Sequence, residues 1–253
     1  MKLHRTLPVL LFSAAMFHPC TSLSAATHRN IFSFTTHNYS NAPLGRVYEN
    51  AFIVKIAPAT DFLLKIYRDD RQLWSNNIYT LGPVFILDKY HYMELTYGYG
   101  DDSGMGRSDY YDWEITREKP RRLSAIGFRH SATPGYHNNL ISPSMKYYLT
   151  DRLSIWGKYF LSYGSNNDKD YALWTELEYT LLDKTKIKLG MTRGGRLYET
   201  EYGSGATGSF DSIIAGVSYE FNENSFIKYI YEDLDRQPIY SDKKNTLIID
   251  FRF

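Results

Sequence analysis

The sequence predicts an all-β chain: a closed antiparallel transmembrane β-barrel of about fourteen strands, with twelve as the alternative count, behind a cleaved signal peptide. Three observations predict it. From Ile31 onward the chain breaks into short segments that alternate apolar with polar residues, and no stretch has a helical period. Tight turns alternate with longer polar stretches, the asymmetry of barrels with short periplasmic turns and longer external loops. The chain closes on "NTLIIDFRF", which puts Leu247, Ile249, Phe251 and Phe253 on one face and Thr246, Asp250 and Arg252 on the other.

The first 26 residues read as a secretion signal. Lys2, His4 and Arg5 form a basic start, Leu7 to Phe17 a short apolar core, and Ser24 to Ala26 a small-residue cleavage site. We place the cut after Ala26, so the barrel occupies 27–253. The apolar core is too short to span a bilayer, since a transmembrane helix needs about 20 residues. The only cysteine, Cys20, falls within the signal, which leaves the mature chain without disulfide or thiol chemistry. Formal charge is +1 over 253 residues, so neither a nucleic-acid footprint nor an acidic tail is present. Aromatics make up 16%, with 23 tyrosines, a residue suited to boundaries between oil and water. A negative mean hydropathy excludes helical spans but not barrel strands, which alternate and look hydrophilic on average.

Along the mature chain, tight turns are expected near Pro58, at Asp88–Lys89, around Pro120, and at Thr150–Asp151, Asp183–Lys184 and Asn222–Asn224. Between them lie seven longer polar stretches: "SNAPLGR", "DDRQLWSN", "GDDSGMGRSDY", "SATPGYH", "GSNNDKD", "GGRLYETEYGSGATGS" and "EDLDRQPIYSDKK". The least clear strands surround Asp112–Arg117 and Ile78–Leu87. The clearest are "LSIWGKYFLS", "WTELEYTLL" and "IIAGVSYEF". In these, Ile155, Leu177 and Val217 share the apolar face, while Lys158, Glu176 and Ser218 share the other. Tyr147, Tyr148, Tyr179, Tyr219 and Phe221 each precede a tight turn, where an interfacial aromatic girdle belongs. Phe253 joins that band.

The same alternation could build a soluble β-sandwich, but a sandwich core cannot cheaply bury Glu176, Glu178, Lys158 and Lys228. A wet lumen can. The predicted inner face carries Glu94, Asp112, Glu114, Lys146, Lys158, Glu176, Glu178, Lys186, Lys188, Glu220, Lys228, Glu232, Asp250 and Arg252. Glu176 and Glu178 on one strand should meet Lys186 and Lys188 across the Asp183–Lys184 turn. That arrangement reads as a register-setting ladder of ion pairs, and equally as the lining of a charge-selective passage. Trp156, Trp174, Tyr92 and Tyr148 on the same face could stack sugar rings or fill the lumen.

The last residues resemble the C-terminal signal read by the outer-membrane assembly machinery. Thr246, Phe251 and Phe253 match it, and Ile248 stands where a glycine is common. A second resemblance covers roughly Arg121 to Phe253. The stretch "AIGFRHSATPGYHNNLISPSMKYYLTDRLSIWGKYFLS" with "KIKLGMTRGG" is similar to the YaiO family of outer-membrane barrels, and Pro143, Tyr147, Tyr148, Asp151 and Gly190 fall at its pattern positions. The resemblance implies an outer-membrane barrel, often associated with surface polysaccharide systems, and supplies no catalytic residues. The helical repeats that many relatives carry before the barrel are absent from this chain.

Three stretches invite chemistry. "FRHSATPGYHNN" gathers His130, Ser131, His137 and Asn138, but adjacent His130 and Ser131 point to opposite faces of a strand. "GDDSGMGRSDYYD" gathers Asp101, Asp102, Asp109 and Asp112 without calcium-loop spacing. The glycines of "GGRLYETEYGSGATGS" open no helix, so a phosphate cradle is not expected. The sequence therefore leads to a conduit for polar solute or saccharide, or an accessory of envelope polysaccharide export, with no catalytic residues, metal or cofactor. The expected partners are outer-membrane lipid and lipopolysaccharide, the barrel assembly machinery and polysaccharide export components, with no nucleic acid. The alternatives are a lipid-modifying hydrolase built on His130–Ser131, or a surface receptor using the Gly194–Ser209 and Asp233–Lys244 stretches.

Overall fold

Alternation along each segment leaves one stripe of side chains for water and one for hydrocarbon, and a sheet with two such faces is stable in a bilayer only when its edges meet. The computed structural model describes residues 28–40, 44–71, 74–102, 106–133, 135–165, 169–195, 210–222, 225–236 and 240–252. The first half of the wall is β1 (His28–Tyr39), β2 (Gly45–Ala57), β3 (Thr60–Arg71), β4 (Trp74–Ile86), β5 (His91–Asp102), β6 (Gly106–Lys119) and β7 (Arg122–Thr133). The second half is β8 (Tyr136–Tyr148), β9 (Leu153–Gly164), β10 (Lys169–Leu182), β11 (Thr185–Gly194), β12 (Phe210–Asn222), β13 (Ser225–Arg236) and β14 (Tyr240–Arg252). Each strand pairs antiparallel with its sequence neighbours, and β1 closes on β14. The count is fourteen. The signal segment and Phe253 lie outside the described residues.

Partner rows climb the wall. One lumen-facing row passes through Ser131, Tyr110, Gly98, Thr80, Lys65, Ala51, Ile31, Asp250, Phe226 and Glu220. It starts near the far end of β7 and finishes beside the turn after β12. The strands are therefore tilted to the barrel axis, as closure requires.

Outside, the wall is apolar. Ile213 and Leu189 leave 70% and 60% of their surface open, with Leu81, Ile126, Met145, Leu173 and Leu177 exposed beside them. So wide a hydrophobic belt fits hydrocarbon and not water. The protein is an outer-membrane barrel, and Arg29 and Arg252 pair at one end of it, the end that is periplasmic in barrels of this class. At that end Tyr147, Tyr179, Tyr219, Phe221 and Phe251 face outward, with Phe221 and Phe251 edge-to-face at 5.8 Å. Tyr148 departs from the expected girdle: it follows Tyr147 on a strand, so it turns into the lumen, where Lys146 Nζ sits 5.3 Å from its ring. At the external end Tyr97 and Tyr111 (5.2 Å) and Tyr159 and Tyr171 (6.3 Å) form the second girdle.

The expected contrast between turns and long loops is corrected. β3 ends at Arg71 and β4 begins at Trp74; β7 ends at Thr133 and β8 begins at Tyr136, around Gly135 at φ 84°; β13 ends at Arg236 and β14 begins at Tyr240. Most of "DDRQLWSN", "SATPGYH" and "EDLDRQPIYSDKK" is therefore strand. Polarity marks where the wall leaves the hydrocarbon, not where the ladder stops, because backbone pairing is indifferent to the side chains it carries. Of the Gly194–Ser209 stretch, 196–209 lie outside the described residues. The strands around Asp112–Arg117 and Ile78–Leu87 are both present, as β6 and β4.

The closing seam is held on its lumen side at three levels. Arg29 Nη2 meets Asp250 Oδ2 at 2.6 Å, the Thr35 and Thr246 hydroxyls meet at 2.9 Å, and His37 Nδ1 meets Asp242 Oδ2 at 2.8 Å. Thr246, read from sequence as part of an assembly signal, thus also bonds across the seam.

Candidate functional site

All fourteen charged residues assigned to the inner face lie on the lumen side of their strands, but away from the seam they fall into two unlike groups. The first occupies β8 to β13. Glu178 stands directly opposite Lys188, and Glu176 opposite Gly190. With no side chain at Gly190, Lys188 reaches both acids: Nζ lies 2.6 Å from Glu176 Oε1 and 2.8 Å from Glu178 Oε2. Lys146 supplies the second cation, 3.0 Å from Glu178 Oε1. Lys186 does not join this ladder; it turns to Glu220 on the other side, at 3.1 Å. Above the ladder Trp156 and Trp174 meet edge-to-face at 4.4 Å, packed with Ile214, Phe160 and Ile230. Both indoles are buried, so they fill space and do not present faces to a sugar. Lys228 is sealed alongside, 1% exposed.

The second group occupies β4 to β8, where the wall is lean. Gly82, Gly98, Gly100, Gly127, Thr80, Thr96, Thr116, Ser131 and Ser142 line it. Glu94 faces Glu114 across the strand pair, and Glu114 faces Gly127 on its other side. Two carboxylates directly opposite each other repel. Lys158 Nζ approaches Glu114 Oε2 at 3.6 Å, the Thr116 hydroxyl donates to Glu114 Oε1 at 3.3 Å, and Glu94 has no ion pair among the described residues. Asp112 is held by Arg129 from β7. Here the charges are more reachable than those of the ladder: the Glu114 side chain is 37% exposed and that of Lys158 25%, against 1% for Glu176 and 2% for Lys188, while the Lys186–Glu220 pair at the periplasmic end is as open.

The remaining predicted residues sit near the seam. Asp250 is fully buried between Arg29 and Arg252, the latter at 3.8 Å, and Glu232 accepts Lys244 Nζ at 2.9 Å. Sequence reading missed Arg29, His37, Glu49, Lys65, Asp242 and Lys244. The signal was available in "HRNIFSFTTHNY", where Arg29, Ser33, Thr35 and His37 share a face, but their partners lie more than 200 residues away.

The hydrolase alternative loses its pair. Ser131 is buried on the lumen side, while His130 faces outward and its Nδ1 donates to Asn139 Oδ1 at 2.9 Å. Asn138 faces the lumen, where its Oδ1 accepts the Ser162 hydroxyl at 2.6 Å. Of the four aspartates, the side chains of Asp101 and Asp102 lie outside the described residues, and the other two point apart. Asp112 points inward, while Asp109 points outward and accepts the Tyr97 hydroxyl at 2.5 Å. No group of three or more metal-ligating side chains occurs among the described residues.

Solved structures share this fold. CymD, a monoaromatic hydrocarbon channel, aligns over 95% of this chain and 92% of its own, with a TM-score of 0.63 at 8% identity. A Pseudomonas aeruginosa FadL homologue aligns over 89% of each chain, at a TM-score of 0.63 and 9% identity. A bacterial polysaccharide outer membrane secretin aligns over 90% of this chain and 99% of its own, at a TM-score of 0.58 and 9% identity. Identities this low speak for the fold alone. No family model and no curated protein matches the chain.

Proposed function

We propose that the protein is an outer-membrane conduit for small polar solutes, with a preference for cations, and that solute passes along the lean wall of β4 to β8 without being chemically changed. One observation carries this reading. The carboxylates of Glu94 and Glu114 face each other over a glycine-lined wall with incomplete neutralisation, and Glu114 is reachable from the lumen. A ring or pair of uncompensated carboxylates in a low-dielectric cylinder favours cations over anions. The channel among the structures of like fold is consistent with a barrel of this architecture serving as a passage. The stretch similar to the YaiO family, and the polysaccharide secretin of like fold, support saccharide as the solute and polysaccharide export components as partners. Insertion through the assembly machinery, read from Thr246, Phe251 and Phe253, belongs to the same proposal.

Planar bilayers test it. The purified protein should give discrete conductance steps with a reversal potential that favours cations under a salt gradient. Glu94→Gln with Glu114→Gln should move that potential toward zero. Neutral oligosaccharide added to one side should interrupt the current if sugar is the solute. A silent bilayer at every voltage ends the conduit reading.

A further inference from the structure

Ion pairs inside the barrel commonly join adjacent strands, as Arg129 does with Asp112 and Lys244 with Glu232. Lys158 and Glu114 do not. Lys158 stands on β9 and Glu114 on β6, yet Nζ comes within 3.6 Å of Oε2. The contact therefore passes over both β7 and β8 on the lumen side. What lies beneath it is small. Glu114 is paired opposite Gly127, and Gly127 opposite Ser142; Lys158 is paired opposite Ser144, and Ser144 opposite Ala125. A Cβ at Gly127 would meet Ser142 Oγ at 2.8 Å and Glu114 Oε2 at 3.3 Å, so the carboxylate leans over the glycine toward β8. Ser142, under this reach, is buried. Four small residues leave the space in which two long side chains meet.

The two ends of the contact are unequal. Glu114 is held near its own strand, where the Thr116 hydroxyl donates to Oε1 at 3.3 Å. The Lys158 ammonium has a second resting place, 5.5 Å from the Phe160 ring, which is itself packed against the cluster of Trp156, Trp174 and Ile214. An ammonium within about 6 Å of an aromatic face is attracted to it. At 3.6 Å, with both side chains partly exposed, the ion pair is loosely held against water. It can open by swinging Lys158 back toward Phe160, with no movement of the backbone. We propose that Lys158 and Glu114 form a releasable crossbar that controls access to the small-residue surface of β7 and β8. A further consequence rests on the conduit reading: Lys158 is then a tethered cation with which a solute cation must compete for Glu114, so it sets the charge preference of the passage.

The bar is tested without any current. In a Cys20→Ser chain, Ser142→Cys places a thiol beneath it, and a neutral thiol reagent reports how often that surface is uncovered. Lys158→Ala should speed the reaction about two- to fivefold, the scale on which one partly exposed ion pair holds. Glu114→Gln, which frees the ammonium without shortening either side chain, should do the same. Ser144→Cys gives a second position under the bar should Ser142→Cys fold poorly, with folding checked by heat-modifiable migration. Rates in folded Lys158→Ala and Glu114→Gln barrels equal to that of the parent overturn the proposal. The tethered-cation role is read in planar bilayers. Lys158→Met should raise the cation-to-anion permeability ratio about two- to fivefold, and by much less in a Glu114→Gln background. Equal rises in both backgrounds would make Lys158 an independent lumen charge and overturn that role. Thiol rates that respond in a barrel silent at every voltage keep the crossbar and end the conduit reading.

Discussion

Two walls of one lumen use the same residue types to different ends. On β8 to β13, Lys146, Glu176, Glu178 and Lys188 are locked together under two tryptophans and hidden from solvent. On β4 to β7, Glu94, Asp112, Glu114 and Arg129 stand over glycine, serine and threonine, with looser contacts than the ladder and with Lys158 reaching Glu114 from β9. A count of lumen charges would treat the two walls alike. Burial separates the ladder from the lean wall: sealed charges must be paired and act as structure, whereas partly exposed charges keep part of their hydration and remain available to a passing ion.

The strongest way to break this distinction is to remove the cation of the sealed ladder and, separately, the cation that reaches the lean wall from β9. Lys188→Met removes the cation that bridges Glu176 and Glu178, while Lys146 still meets Glu178. Deleting one partner of a buried pair costs about 3–5 kcal/mol, so urea unfolding of the reconstituted barrel should shift strongly. Lys158→Met, at a half-open contact of 3.6 Å, should cost under about 1 kcal/mol. Equal losses would mean that both walls are solvated alike.

Glycines sharpen the comparison within the lean wall. A Cβ at Gly82 would sit 1.9 Å from the Leu95 carbonyl oxygen, so Gly82→Ala forces two backbones apart. It adjoins Pro83, which has no N–H to give the β5 ladder. The expected cost is about 1–3 kcal/mol, the usual scale of overpacking, read from the same unfolding curves. At Gly127 the added carbon would meet Ser142 Oγ at 2.8 Å and Glu114 Oε2 at 3.3 Å, both ends of side chains that can rotate away. Gly127→Ala should therefore leave stability nearly unchanged while moving Glu114, and so alter the conductance. A stable Gly82→Ala barrel would show that β4 and β5 are less tightly joined than their register implies.

Closure and facing were legible in the sequence because they depend on local alternation. Ile155 against Trp156, or Leu177 against Glu178, fixes which side meets lipid, and one strand after another repeats the choice. The ladder was half legible. Glu178 opposite Lys188 follows from a tight turn at Asp183–Lys184, but Lys186 turning to Glu220 depends on a second register beyond β11. The seam was not legible at all, since Arg29 and His37 find Asp250 and Asp242 only when a closed cylinder brings the two ends together. The lean wall was missed for another reason. A glycine on a strand announces close approach or open space equally, and only the neighbours of Gly82 and Gly127 decide which.

The smallest expected effect lies at the periplasmic foot of the lean wall, in the turn between β4 and β5. Asp88 Oδ1 accepts from the Tyr90 amide at 2.7 Å and the His91 amide at 2.9 Å, and its Oδ2 lies 2.8 Å from His91 Nδ1. The Tyr90 amide chiefly, with His91, holds the Asp88 carboxyl below its ordinary value. A carboxyl lowered on folding stabilises the turn fully above its unfolded pKa, and that contribution fades as pH falls through the lower folded value. The protection of the Tyr90 and His91 amides, taken relative to the intrinsic exchange rate at each pH, should therefore fall as the pH drops below about 4. Asp88→Asn should remove the acid dependence. The group is fully exposed, so neither change should move the global unfolding midpoint. Conductance measured across the same acid range then separates the walls further: a response abolished by Asp88→Asn would tie gating to the foot of β4 and β5, and a response that survives it would place the titrating group on the lumen wall.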